Sequence, residues 1–513
     1  MSASAEDILQ QCQSFSRYQW FQIMVVLWCQ LCTACNTVFM VFAGSKSLSS
    51  TNATTITPGC DPSVSSNCSG SDRHFHSFYS EWSDGDLSDY TIASMMSLQL
   101  IGSLLGALVS GQLSDWYGRK ITSWTFFSIT VAIVTASALC ESVYAMIACR
   151  FLIGFSTGAY DSAVVVLMME WTRAENRLLV QNSLDCMNSI GFIWLSFLAM
   201  QTASWRILSL VCGLQGIFCV LLFRWMIESP VWLTKMNRLT ETGLTFRLIA
   251  SWNRFDFFTP ALRNTGVDED VSVKQDRVKK CSYLDLFRTR KMCSRTIALM
   301  YSFFFTGVVG FTLIINMDNL SGDMYVNFAL LGVVNICSAI ISFAIERLLK
   351  PGRKIFHFAA LTGVSSSVAA LCILYIIGVQ EDLRILFVVF SLCGSIFSYP
   401  LWVICNLYSG ELYPTSIRAM GSGIGSVSAR FGGIIAPQLL YLIHVSKPLP
   451  FLLTVIFGLV NIFVAGCMFP ETRSKSLLKF IPCKVESATS HQVTCLIFRF
   501  TCSYAKAKPI FQS

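Results

Sequence analysis

Long apolar stretches alternate with short polar segments along most of the chain. Twelve of these stretches are close to or above about 20 residues, the length that an α-helix needs to cross the hydrocarbon core of a bilayer. A long polar segment divides them into two sets of six, so the pattern predicts an all-α membrane protein. The predicted spans are 20–43, 91–110, 121–140, 144–170, 180–202, 206–226, 296–316, 325–345, 355–377, 384–408, 420–443 and 450–469.

The polar segments predict how the chain is organised around the membrane. Lysine and arginine concentrate in the middle segment and the tail, whereas the long polar loop after the first span carries few of them. Because basic segments stay on the cytoplasmic side, both termini and the middle loop are predicted to be cytoplasmic. The predicted parts are an N-terminus at 1–19, a first bundle at 20–226 with an extracellular loop at 44–90, a middle loop at 227–295, a second bundle at 296–469 and a tail at 470–513.

Composition agrees with this assignment and excludes other classes. Of the 513 residues, 53% are hydrophobic and 13% are charged, against about a quarter charged in a soluble domain. The net charge of +8 follows the cytoplasmic segments, so the lipid bilayer is the expected partner and nucleic acid is not. The chain has no GxxxxGK[ST] loop, and its five histidines form no cluster apart from His74 and His76 in the first loop. We therefore predict neither an ATPase nor a membrane enzyme, and no cofactor.

The loop after the first span carries signs of an extracellular compartment. Asn52 and Asn67 each begin a glycosylation sequon, and Cys60 and Cys68 lie in the same loop. This combination suits an oxidising exterior, and we predict a plasma-membrane protein glycosylated at both asparagines. A Cys60–Cys68 disulfide is one interpretation; free thiols or other pairings are the alternative. Most of the 21 cysteines lie in apolar runs as small hydrophobic residues, and their spacing predicts no metal site.

A charged turn separates the second and third spans. The sequence GQLSDWYGRK places Asp115, Gly118, Arg119 and Lys120 between two apolar runs, and charge is costly inside a bilayer, so the turn is predicted to lie just outside it. A similar turn follows the eighth span, where Glu346-Arg347 precedes Pro351-Gly352-Arg353-Lys354. A charged turn at equivalent places in both sets of six indicates an internal repeat.

These turns resemble the loop between the second and third helices of the major facilitator superfamily, with Trp116 where a basic residue is common. Other motifs resemble the organic ion transporter family, the solute carrier 22 group, and the resemblance covers roughly residues 15–475. It implies twelve transmembrane helices in two pseudo-symmetric halves of six. The motifs are Glu81-Trp82, Glu170-Trp171, ESPVWL at 228–233, YSGELYPT at 408–415 with Ile417-Arg418, and Pro470-Glu471-Thr472.

The resemblance also implies a function. Members of this group move organic cations, organic anions and carnitine-like zwitterions. The chain is therefore expected to be a secondary active or facilitative transporter of small organic ions that works by alternating access. Its expected partners are the organic ion and a coupling ion or an exchanged counter-substrate. A transporter-like membrane sensor that no longer moves substrate is the alternative class.

Charged residues near the ends of several spans are predicted to form cytoplasmic gates and latches. Such residues can bridge helix ends and favour one state of a transporter over the other; static surface charge is the alternative. The predicted gating residues are Asp115, Arg119, Lys120, Arg150, Glu170, Arg177, Glu228, Glu346, Arg353, Glu411 and Arg418.

Two charges lie deep within predicted spans, and a charge at that depth is a functional hypothesis by default. They are Asp161 in the fourth span and Arg430 in the eleventh. The position of Arg430 resembles one that holds an acid in cation transporters and arginine in anion and carnitine transporters, which favours organic anions or zwitterions over organic cations. Asp161 and Arg430 could hold the two ends of a zwitterion, pair with each other, or lie too far apart to interact.

Polar and aromatic side chains are expected to complete the site, because large organic ions need apolar walls and rings for stacking or cation–π contact. Asn36 resembles an asparagine of anion transporters, and bonding to a neighbouring helix is its alternative role. Packing is the alternative role for each aromatic ring. Asp185, near the start of the fifth span, is expected closer to the interface. The predicted substrate contacts are Asn36, Tyr160, Asp161, Tyr301, Trp402 and Arg430.

Overall fold

The computed structural model describes residues 17–45, 75–82, 87–172, 176–253, 286–320, 323–349, 351–378, 383–413 and 417–471. The predicted glycosylation sites Asn52 and Asn67 and the predicted disulfide between Cys60 and Cys68 lie outside these residues. So do most of the predicted N-terminus, middle loop and tail.

Twelve helices of 19 to 29 residues correspond to the twelve predicted spans. Eleven of them are long and apolar enough to cross a membrane. The other is α3, which is less apolar because it begins with Arg119 and Lys120 and contains several serines and threonines. The helices are α1 Arg17–Ala43, α2 Asp89–Tyr117, α3 Arg119–Ser137, α4 Val143–Trp171, α5 Arg177–Gln201, α6 Trp205–Phe223, α7 Arg290–Ile315, α8 Met324–Leu348, α9 Arg353–Ile377, α10 Arg384–Glu411, α11 Arg418–Tyr441 and α12 Leu449–Met468.

Short polar residues set the starts of several helices. Ser88, Ser142 and Ser204 precede α2, α4 and α6, and each accepts a hydrogen bond from a backbone N–H in the first turn. Thr289 caps α7 in the same way. A helix leaves its first N–H groups without backbone partners, and a side-chain oxygen at this position satisfies one of them.

Close helix packing in the first half depends on glycine. A Cβ atom at Gly106 of α2 would overlap the carbonyl oxygen of Phe155 in α4, and one at Gly154 of α4 would overlap the carbonyl oxygen of Gln99. Helices in membranes associate through such small residues because a bilayer supplies little hydrophobic force between them. The glycines therefore bring the α2 and α4 backbones into direct contact.

The two halves meet through a symmetric pair of helix contacts. Between the halves, α2 packs on α11 and α5 packs on α8. An exchange of the halves relates α2 to α8 and α5 to α11, so the two contacts are equivalents of each other. This arrangement confirms the predicted fold of two pseudo-symmetric six-helix halves.

Part of the segment after α6 is also helical. Pro230–Lys235 and Leu239–Asn253 form two short helices. In the second, the ring of Trp252 lies 5.4 Å from that of Tyr18 and 5.6 Å from that of Phe21, centroid to centroid. The start of the middle segment therefore packs against the start of α1.

Candidate functional site

Arg119 holds three helices together at one end of the bundle, which we call the charged end. Its guanidinium lies 2.7 Å from the Asp115 carboxylate and 3.4 Å from that of Glu170, at the end of α4. It also donates a hydrogen bond to Ser114 at 3.3 Å. The Arg119 side chain is buried, so these acceptors replace the water that it would otherwise bind.

Glu228 covers the N-terminus of α3 beside this cluster. Its carboxylate accepts hydrogen bonds from the backbone N–H groups of Lys120, at 2.9 Å, and Ser229, at 3.0 Å. Gly118 has a φ of +110°, and a Cβ atom there would overlap the same carboxylate, so only glycine fits the turn. Burial raises the pKa of Glu228, and the N–H donors oppose this shift by favouring the charged form.

The second half repeats this arrangement with different residues. The Arg353 guanidinium lies 2.8 Å from Glu346 and 3.1 Å from Glu411, at the end of α10. Glu471 accepts backbone hydrogen bonds from Arg353, at 2.8 Å, and Lys354, at 3.1 Å. Glu471 thus occupies the place of Glu228, a role that the sequence prediction missed. The role of Glu471 could have been predicted from the sequence, because an acid follows the last helix of each half.

Three other predicted gating residues lie in the first turns of helices. The Lys120 ammonium donates to the backbone oxygen of Arg224 at 3.4 Å. The backbones of Arg177 and Arg418 begin α5 and α11, but their side chains lie outside the described part of the structure. The structure thus brings Asp115, Arg119 and Glu170 together in the first half, and Glu346, Arg353 and Glu411 together in the second.

The grouping of Arg150 with these residues is wrong. Arg150 lies about two turns from the start of α4, whereas Glu170 lies in its last turn, roughly 30 Å away at 1.5 Å per residue. The Arg150 side chain is fully buried, with its guanidinium 4.2 Å from the centre of the Phe39 ring. Among the described residues, none accepts a hydrogen bond from it. It therefore belongs to the interior of the first half.

Arg430 crosses between the halves at mid-depth. It lies about a dozen residues into α11, and its guanidinium donates to the backbone oxygen of Ser103 in α2, at 2.7 Å, and to the Ser103 hydroxyl, at 2.8 Å. Asp161 lies about ten residues before the end of α4. At 1.5 Å per residue both side chains lie roughly 15–18 Å from the charged end, and both are partly accessible.

Asp161 and Arg430 attract each other without direct contact. Their charges interact electrostatically, but they do not form an ion pair among those of the described residues. The interpretation that they lie too far apart to interact is therefore wrong, and they do not pair directly in this conformation. That Asp161 and Arg430 hold the two ends of a zwitterion stays a prediction.

The remaining predicted substrate contacts divide into two groups. Tyr160 is fully enclosed in this conformation, with its ring 5.1 Å from that of Phe127, as its alternative role in packing predicts. Asn36 is buried and donates to the backbone oxygen of Cys32, one turn earlier in α1, at 3.0 Å, so this bond lies within its own helix. Tyr301 and Trp402 are partly accessible; Tyr301 donates to Phe457 in α12 at 3.2 Å, and the Trp402 ring packs at 5.8 Å on Phe303.

The two halves are tied together at the opposite end of the bundle. The His444 imidazole lies 3.3 Å from the Asp89 carboxylate, and the Ser45 hydroxyl is hydrogen-bonded to Asp318. Between these contacts is a cavity of about 150 Å³. Ser97 also donates to the backbone oxygen of Ile434 at 2.9 Å. By contrast, the ion pairs described above at the charged end each lie within one half.

Comparison with known proteins gives consistent matches. The model of the family described as "Sugar (and other) transporter" matches residues 63–481. Solute carrier family 22 member 4 of Mus musculus is 29% identical over 415 residues, which cover 76% of this chain and 69% of that protein. The organic cation transporter-like protein of Drosophila melanogaster is 27% identical over 424 residues, covering 80% and 72%.

Solved structures give the same fold. The partially occluded inward-open conformation of the xylose transporter XylE from E. coli matches with a TM-score of 0.63 and covers 90% of this chain and 100% of that one. The sequences are 14% identical, so this likeness concerns the arrangement of helices alone.

Proposed function

The chain belongs to the sugar (and other) transporter family, and we propose that it carries small organic ions across a membrane by alternating access. Its predicted membership of the major facilitator superfamily and of the solute carrier 22 group is confirmed by these matches. It is a multi-pass membrane protein. Its relatives are membrane transporters, which supports the prediction that the chain is not an enzyme.

The choice of substrate rests on the charge and the position of Arg430. This residue bears a permanent charge at mid-depth, at the contact between the two halves. One guanidinium nitrogen bonds to Ser103, and a guanidinium has five N–H donors in a fork that suits carboxylate or sulfate. We propose that Arg430 binds the negatively charged group of an organic anion or zwitterion. Organic cations are the second candidate, because Asp161 adds a negative charge nearby.

The way in which the halves are joined supports alternating access. The contacts of α2 with α11 and of α5 with α8 serve as the pivot, and the Asp89–His444 and Ser45–Asp318 pairs hold one end closed. The charged clusters of Arg119 and Arg353 act as latches that make each half move as a unit. We place the charged end and both termini in the cytoplasm of a plasma-membrane protein. The cycle is driven either by a coupling ion or an exchanged counter-substrate, or by the substrate gradient alone.

Replacing Arg353 with alanine is expected to lower the maximal uptake rate about tenfold, with little change in the KM for substrate. The change leaves Glu346 and Glu411 without the charge that lies between them, and Arg353 is remote from the Arg430 level. The measurement is the concentration dependence of uptake at matched surface expression. Arg347→Ala is the control, because Arg347 is an exposed neighbour. A raised KM with an unchanged maximal rate would contradict the latch role.

The proposed function is tested by uptake into cells that express the protein. Three probes of similar length separate the charge classes: pentanesulfonate as anion, γ-trimethylammoniobutyrate as zwitterion and pentyltrimethylammonium as cation. We expect uptake of the zwitterion or the anion above that of untransfected cells. Uptake of the cation alone would favour the cation transporter. If none enters although surface labelling detects the protein, the sensor alternative replaces the transporter.

A further inference from the structure

Asp185 reaches deeper into the bundle than its sequence position predicted. It lies about eight residues into α5, roughly 12 Å from the start of the helix, and therefore near the level of Asp161 and Arg430. Its side chain is partly accessible. It interacts electrostatically with Tyr399 of α10, which belongs to the other half. Asp185 therefore faces the space between the halves.

The described charged residues at this depth that we consider are two acids, Asp161 and Asp185, and one base, Arg430. Asp161 has Arg430 as an opposite charge with which it interacts electrostatically. No described arginine, lysine or histidine forms an ion pair with Asp185. The Tyr399 hydroxyl beside it is buried and has no hydrogen-bond partner among the described residues. Two polar groups from opposite halves thus interact electrostatically, and Asp185 has no positive partner in the ion pairs of the described residues.

A carboxylate within a membrane protein is costly unless a positive group accompanies it. An alkylammonium group satisfies this requirement, because it is attracted to the carboxylate and also binds favourably against an aromatic ring such as that of Tyr399. We propose that Asp185, with Tyr399 beside it, forms the subsite for the positively charged group of the substrate. This inference rests on the proposed transport function and adds to it: Arg430 and Asp185 receive opposite ends of a zwitterion.

The test compares Asp185→Asn and Tyr399→Phe with the wild type, using the same three probes. Asp185→Asn is expected to raise the KM for γ-trimethylammoniobutyrate and for pentyltrimethylammonium about tenfold, and to leave the KM for pentanesulfonate unchanged or lower. Tyr399→Phe is expected to have a smaller effect in the same direction. Asp323→Asn is the matched control, because it makes the same chemical change at an exposed residue just before α8, outside the substrate site. Asp185→Glu is expected to restore recognition of the ammonium probes.

The outcomes distinguish this inference from the function on which it rests. If uptake of the zwitterion requires Arg430 but is insensitive to Asp185→Asn, the subsite is wrong and transport stands. If Asp185→Asn lowers uptake of all three probes equally at matched surface expression, Asp185 has a structural or proton-coupling role and the inference fails. If the wild type takes up none of the probes, the proposed function itself fails.

Discussion

Replacing Arg430 with alanine is expected to lower uptake of anionic and zwitterionic probes about a hundredfold or more. The change removes the positive charge that we assign to the substrate's negative group. It also leaves Asp161 without the attraction of a nearby base and breaks the link from α11 to Ser103 in α2. Uptake at a substrate concentration well below KM measures the combined loss. Surface labelling establishes that the variant reaches the membrane.

Two further variants separate the charge of Arg430 from its hydrogen bonds. Arg430→Lys keeps the charge but loses the two-pronged geometry, so it is expected to retain part of the uptake. Ser103→Ala removes the hydroxyl acceptor and leaves the backbone acceptor in place, so it is expected to have little effect. Full uptake by Arg430→Ala would show that Arg430 does not bind substrate. A loss in Ser103→Ala as large as in Arg430→Ala would point to structure instead.

Replacing Gly106 with alanine is expected to destabilise the protein by about 1–3 kcal/mol or more. The new methyl group would overlap the backbone oxygen of Phe155, and a backbone atom cannot move aside as a flexible side chain can. The α2 and α4 helices must therefore separate, and the separation weakens packing along their whole contact. The measurement is the melting temperature of the detergent-purified protein, together with the amount that reaches the surface.

Gly111→Ala is the matched control in the same helix. Gly111 is exposed, and a Cβ atom there meets no other atom within 4 Å. Because alanine is the better helix former, this variant is expected to be neutral or slightly stabilising. Equal losses in both variants would contradict the packing argument.

Much of the fold was predictable because it depends on local properties of the chain. The length of each apolar stretch determines whether a helix can span a bilayer, and all twelve predicted spans are helices. Even α3, the least apolar, was recognisable from its place between the charged turn and the next polar break. The repeated acid–glycine–base turn correctly indicated that Arg119 and Arg353 are equivalent. Glu471 was within reach too, since it follows α12 as Glu228 follows α6.

The site was less predictable because it depends on which way each helix face points. Tyr160 and Asp161 are neighbours in the chain, yet the first is enclosed beside Phe127 and the second is partly accessible. Successive helical residues point about 100° apart, and an apolar helix with apolar neighbours on every side carries no pattern that tells which face meets lipid, protein or cavity. The misplacement of Arg150 was different: the direction of α4 already placed it at the end remote from Glu170.

The sequence by itself determined that this protein crosses the membrane many times, that its halves repeat, and that charges mark both the helix ends and the middle of the bundle. These features are set by hydropathy and by the cost of burying charge, which act residue by residue. Only the tertiary structure decided that Arg430 reaches Ser103, that Asp161 interacts with Arg430 without an ion pair, and that Asp185 interacts with Tyr399. Those relations join helices far apart in the chain, and they depend on how twelve rigid helices rotate and pack against one another.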